Sequence, residues 1–171
     1  QLGCLFLGEG VLDINPQLGK LVSEEEALQH LKKCKEAGLV HLIGRNRLDK
    51  QWLGVKEGNK LLTICNCCPC CCLWRISSTL TPKIGSRIKK MEGVEVKVSE
   101  KCTACGICTE GICFVDAIKI IGNKAQINDE CRGCGRCVEI CPNQAISIKI
   151  VDINKSVENS INKIDKIIDL A

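Results

Sequence analysis

Cys102-Thr103-Ala104-Cys105-Gly106-Ile107-Cys108-Thr109-Glu110-Gly111-Ile112-Cys113 and Cys131-Arg132-Gly133-Cys134-Gly135-Arg136-Cys137-Val138-Glu139-Ile140-Cys141-Pro142 are two versions of one pattern. Cys102, Cys105 and Cys108 align with Cys131, Cys134 and Cys137 at an offset of 29, and Cys113 aligns with Cys141 at an offset of 28. The likeness extends outward. Val96-Lys97-Val98-Ser99-Glu100-Lys101 precedes the first version where Ala125-Gln126-Ile127-Asn128-Asp129-Glu130 precedes the second, and Ala117-Ile118 follows where Ala145-Ile146 does. An internal repeat predicts a repeated structural unit. Each half is expected to be a strand, a cysteine loop, a short helix and a returning strand.

Three cysteines spaced by three residues suit ligands that converge on one metal centre. A loop of this form wraps three corners of a 4Fe-4S cube, and in two-cluster ferredoxins the fourth thiolate comes from the other half of the repeat. On that logic one cluster is held by Cys102, Cys105, Cys108 and Cys141, and a second by Cys131, Cys134, Cys137 and Cys113. Cys141-Pro142 completes the bacterial run of this type. Zinc also binds paired cysteines, but the triple spacing, the crossover ligand and the proline weigh against it. Two departures mark the first half: four residues separate Cys108 from Cys113 where three are usual, and Phe114 stands in place of proline. They leave Cys113 the least secure of the eight. Arg132 and Arg136 lie in the second loop, either raising the potential of its cluster relative to the other or standing as solvated surface charge.

These motifs, at residues 93–150, resemble the bacterial-type two-cluster ferredoxin domain. The resemblance implies low-potential clusters and single-electron transfer.

Composition sets the outer limits. Sixteen of 171 residues are cysteine, aromatics are only 2% and Tyr is absent, so the core is aliphatic. Clustered cysteines such as Cys70-Cys71-Cys72 are poorly placed for disulfides. No signal peptide or apolar run of spanning length is seen, which predicts a reduced, cytoplasmic protein with no membrane span. The chain opens on Gln1, which suggests a processed or excised piece. The net charge of +4 is scattered and does not call for nucleic acid.

Residues 1–92 are expected to form a Cys-rich helix-and-hairpin domain that looks winged-helix-like. Ser23-Glu24-Glu25-Glu26 reads as a capping box that opens a helix, and Gly38 reads as its stop. Residues 39–43 and 60–65 read as strands, with Gly54 and Gly58 in the turn region between them. A short helix is expected at 73–80, stopped by Pro82. Between them stands Cys65-Asn66-Cys67-Cys68-Pro69-Cys70-Cys71-Cys72. Six cysteines in eight residues exceed any packing need. They form a candidate third site, for an Fe-S cluster or zinc, with Cys4 as a distant ligand. Cys34 reads as buried packing and His41 as structural. Residues 151–171 read as an amphipathic helix with Ile153, Val157, Ile161, Ile164 and Ile168 on one face, packed on its own domain.

The fold class is therefore α+β: a pseudo-twofold dicluster domain at 93–150, preceded by the Cys-rich domain and followed by the helix. The whole layout, with the Cys-Asn-Cys-Cys-x-Cys-Cys-Cys string, resembles uncharacterised 4Fe-4S-binding proteins of anaerobic bacteria and archaea. Those proteins are longer, so the resemblance implies that this chain is a carboxy-terminal part. Three functions are weighed. The first is an electron-transfer module that serves a redox protein partner, not itself an enzyme. The second is a piece of a redox enzyme with a catalytic cluster at Cys65–Cys72. The third is a DNA-binding iron-sulfur sensor, which the acidic start of the expected helix disfavours.

Overall fold

The computed structural model describes residues 2–68, 72 and 79–169. The chain packs as two compact units, one of residues 1–68 with 161–171 and the other of residues 69–160.

The first unit is built on a three-stranded antiparallel sheet. Its strands are β1 Leu5–Leu7, β2 Val40–Gly44 and β3 Leu62–Cys67, in the order β1-β3-β2. Helix α1, Glu24–Glu36, begins at the expected capping box. The Glu26 amide donates to Ser23 Oγ at 3.2 Å, and the Ser23 amide donates to the Glu26 carboxylate at 2.9 Å. These bonds satisfy two donors that a helix start otherwise leaves open. They also hold the Glu26 carboxyl below its ordinary range, the bond from the Ser23 amide contributing most. Cys34 on this helix is wholly buried.

β2 and β3 pair antiparallel, with Leu42 opposite Cys65 and His41 opposite Asn66. They are not a hairpin. Helix α2, Arg47–Leu53, fills the connection, capped by Asn46, whose side chain accepts from the Leu48 amide at 3.1 Å. Gly54 ends the helix at φ +71, so the residue read as part of a turn is a helix stop. A single 3-10 turn at Gly58–Lys60 shifts the second strand to start at Leu62. β1, which no sequence pattern announced, covers the other edge of β3. The winged-helix-like reading is corrected on these grounds: a third strand flanks β3, and a helix replaces the wing. Asp49 of α2 is buried and accepts from Thr63 Oγ1 at 2.7 Å and Asn46 Nδ2 at 2.9 Å. Burial raises its carboxyl above the ordinary range against these two bonds.

The second unit carries two short antiparallel pairs. β4 Val94–Val98 pairs with β7 Ile146–Ile150, and β5 Ile118–Ile121 pairs with β6 Lys124–Ile127. Between the strands lie a 3-10 turn at Ile107–Thr109 in the first half and helix α4, Arg136–Glu139, in the second. The halves match bond for bond. The Ser99 amide donates to the Ala145 carbonyl at 2.8 Å, and the Asn128 amide donates to the Ala117 carbonyl at 2.9 Å. Its core is small: Cys108, Ile118, Ala125 and Ile146, with Cys102, Cys113, Cys137 and Cys141 packed around them.

Helix α3, Pro82–Gly85, opens at the proline expected to stop a helix, a position where proline lacks no bond. Residues 73–78 of the expected helix lie outside the described residues, as do Cys70 and Cys71. Helix α5, Ile153–Asp165, forms where expected, and the expected apolar face is covered in part: Ile164 is half-buried and Ile168, just past the helix, is buried. Ser156 is its buried residue, lying where a Cβ on Gly93 would meet Ser156 Oγ at 2.7 Å. Backbones that approach so closely admit only small side chains. Ile153, Val157 and Ile161 of that face are exposed. No helix among the described residues is long and apolar enough to cross a membrane.

Replacing Ser23 by Ala removes the reciprocal cap and should destabilise the first unit by about 1 kcal/mol. Denaturant unfolding followed by amide exchange in α1 checks this, and unchanged protection in the first turn would contradict it.

Candidate metal centre

Each cysteine loop is shaped by backbone turns that recur in both halves. The Cys102 amide donates to the Ser99 carbonyl at 3.3 Å, and the Cys131 amide to the Asn128 carbonyl at 3.1 Å. Ala104 and Gly133 both take left-handed conformations, at φ 55 and 68. The Thr109 amide closes on the Gly106 carbonyl at 2.8 Å, as the Val138 amide does on the Gly135 carbonyl.

These turns bring the cysteines around two cavities. One is lined by Cys102, Cys105, Cys108 and Cys141, with Ile120, Ala125 and Ile146 as apolar wall. The other is lined by Cys113, Cys131, Cys134 and Cys137, with Val96, Phe114, Ile118 and Ile127 as wall. Each therefore takes three thiols from one half of the repeat and one from the other. None of these eight cysteines is in a disulfide.

The extra residue ahead of Cys113 does not displace it. Gly111 takes φ +68 and its amide donates to the Thr109 carbonyl at 3.0 Å, so the chain absorbs the residue in a tight turn. Cys113 then sits as Cys141 does. The Ala117 amide donates to Cys113 Sγ at 3.2 Å, and the Ala145 amide donates to Cys141 Sγ at 3.3 Å.

Further backbone donors face sulfur. The Ala125 amide reaches Cys102 Sγ at 3.3 Å and the Gly133 amide reaches Cys131 Sγ at 3.4 Å. Amides that donate to a thiolate favour its charge. The amides of Ala125 and Ala104 hold the Cys102 thiol below its ordinary value. Burial acts the other way. It raises Cys108 and Cys134, and it pushes Cys137 up to about 12.

The cysteine string is only partly described. Cys65 and Cys67 alternate along β3, so they share one face of the sheet. The β1–β3 register pairs Leu5 with Ile64, and one step further it sets Cys4 opposite Cys65. Cys68 follows the strand directly. Among the described residues no three His, Cys, Asp or Glu side chains gather as a site for a single ion. His41 is committed elsewhere: its Nδ1 donates to Asn66 Oδ1 at 2.7 Å, while Asn66 Nδ2 donates to the Gly3 carbonyl at 2.7 Å. Arg132 lines the second cavity with its side chain nine-tenths buried, so it is not solvated surface charge. What the sequence reading missed is this depth, which depends on α3 packing over it: Arg132 Nη2 donates to the Gly85 carbonyl at 3.4 Å.

Gly133 illustrates how tight the second loop is. A Cβ there would lie 2.8 Å from Val94 Cγ1 and 2.9 Å from Lys90 Cγ, whereas one on Gly111 would meet nothing within 4 Å. Gly111→Ala should cost only the left-handed penalty of about 1–2 kcal/mol. Gly133→Ala should cost about 1–3 kcal/mol more through overpacking. Denaturant unfolding of the two variants compares them, and equal losses would contradict the crowding.

Residues 126–147, which include Cys131, Cys134, Cys137 and Cys141, match the family described as 4Fe-4S binding domain. No curated protein and no solved structure matches the chain. The chain carries a 4Fe-4S binding domain at residues 126–147.

Proposed function

We propose that the chain is an electron-transfer module with two 4Fe-4S clusters, one in each four-cysteine cavity. Cys102, Cys105, Cys108 and Cys141 would hold the first, and Cys131, Cys134, Cys137 and Cys113 the second. The observation that carries this reading is the crossed lining of the cavities, three thiols from one repeat and one from the other. The paired short sheets, related by the repeat, agree with a pseudo-twofold dicluster ferredoxin architecture.

The donor chemistry fits the group. Four soft thiols and no carboxylate line each cavity, and soft thiolates select iron-sulfur clusters or zinc. Zinc draws four ligands onto one point at about 2.3 Å from each sulfur. The triple spacing of the cysteines and the family match at residues 126–147 favour the cluster. A bound 4Fe-4S cluster takes up and returns one electron. The chain's own residues hold the thiols in place, aim amides at Cys102, Cys113, Cys131 and Cys141, and exclude water with aliphatic walls. No side chain in either lining is arranged as a general base beside a nucleophile, so relay to a redox protein partner is preferred over catalysis. The DNA-sensor alternative loses the hairpin on which it rested.

A third site remains part of the proposal. Cys65 and Cys67 share one face of β3, Cys4 directly precedes β1, the strand paired with it, and Cys68 lies next in sequence. With Cys70, Cys71 and Cys72 they would supply thiolates for a further Fe-S cluster or a zinc ion.

Two experiments test these assignments. Cys141→Ser should remove the cluster of the Cys102, Cys105 and Cys108 loop, with loss of roughly half of the cluster iron held by the repeat. Spectroscopy that shows the Cys131, Cys134 and Cys137 cluster lost in its place would contradict the crossover. Cys68→Ala and Cys72→Ala should each lower iron or zinc content. Unchanged content in both would mean that the string holds no metal.

A further inference from the structure

Arg132 is the one residue among those described whose side chain leaves a buried nitrogen or oxygen without a partner. Its Nε–H is buried and meets no acceptor among the described residues. The rest of the guanidinium is fixed. Nη1 donates to the Glu130 carbonyl at 2.6 Å, and Nη2 donates to the Glu130 carboxylate at 2.7 Å and to the Gly85 carbonyl at 3.4 Å. An unsatisfied buried donor costs about 1–3 kcal/mol, more for a charged group, and native proteins rarely keep one without a reason. Arg132 lines the cavity of Cys113, Cys131, Cys134 and Cys137, and the acceptors such a cavity offers are sulfur.

The two cavities differ in charge at equivalent positions. Arg132 and Arg136 line this one. The repeat places Thr103 and Ile107 where they stand, and the lining of the other cavity includes no cationic side chain. Thr103 is itself engaged, accepting from Asn143 Nδ2 at 2.8 Å. The backbone repeats, and the electrostatics do not.

Resting on the two-cluster reading, we propose that Arg132 donates its Nε–H to the cluster held by Cys113, Cys131, Cys134 and Cys137. With Arg136 it makes that cluster the higher-potential member of the pair, where the transferred electron comes to rest. Reduction adds one negative charge to a cluster, so a nearby cation and an N–H donor stabilise the reduced form. Glu130 opposes this, but its side chain is 67% exposed against 10% for Arg132. Water screens the carboxylate, while the inner donor acts where the dielectric is low. The inference gives the relay a direction, from the Cys102, Cys105, Cys108 and Cys141 cluster toward the arginine-lined one.

A redox titration of the anaerobically purified full chain, followed by electron paramagnetic resonance, tests it. Arg132→Gln should lower the higher of two midpoint potentials and leave the lower one in place. Glu130→Gln, a change at an exposed carboxylate, should raise the same higher potential, and it stands in if the arginine variant loses its cluster. The proposal is overturned if neither substitution moves a potential, or if the lower one moves. Iron content separates the two claims. About four iron per chain with a single midpoint would overturn the two-cluster reading. If that remaining midpoint were also insensitive to Arg132→Gln, the arginine assignment would fall independently.

Discussion

The second unit depends on convergence of sulfur. Its central cluster among the described residues is Ile118, Ala125 and Ile146 beside Cys108, with Val94, Ala117 and Ala145 also buried. Around that cluster pack four cysteines, Cys102, Cys113, Cys137 and Cys141, among five aliphatic side chains, Val96, Val98, Ile120, Ile127 and Val138. The strands are short because they need only deliver each loop to its cavity. The crossed contribution of Cys113 and Cys141 ties the halves together, since neither half completes a cavity by itself. Backbone amides directed at sulfur and left-handed turns at Ala104, Gly106, Gly133 and Gly135 follow from the same demand. An amide that faces sulfur is not available to a strand or helix ladder, so the loops that carry these amides are irregular.

This part of the fold was legible because its constraint is local and repeated. Cysteine spacing fixes loop geometry, and the offset of 29 falling to 28 marks where one half carries an extra residue. The departure that cast doubt on Cys113 is resolved at Gly111, where a positive φ accommodates the insertion without moving the thiol. The first unit was less legible because its organisation is non-local. Helix α2 is short, and its Asn46 cap and Gly54 stop are residue types that also make turns. β1 is three residues long and becomes a strand only because the edge of β3 is there to pair with it. Helix α5 is a mixed case. Its apolar stripe divides: Ile164 is half-buried and Ile168 buried, while at the other end close approach to Gly93 selects Ser156 and Ile153, Val157 and Ile161 stay exposed.

The two halves of the repeat have kept one backbone and diverged in charge. Thr103 and Ile107 in one half correspond to Arg132 and Arg136 in the other. Sequence alone could not tell a cavity-lining arginine from a solvated one, because the difference lies in what packs over it: the Gly85 carbonyl and Glu130 immobilise the guanidinium. The cysteine string follows a different logic. Alternation along β3 puts Cys65 and Cys67 on one face, and strand register brings Cys4 from the far end of the first unit's sequence to the same edge.

Anaerobic iron and acid-labile sulfide analysis with Mössbauer spectroscopy bears most directly on the central claim of a cubane in each crossed cavity. The account predicts at least about eight iron and eight sulfide per chain, in 4Fe-4S spectral form. About four iron, or zinc in place of iron, would contradict it.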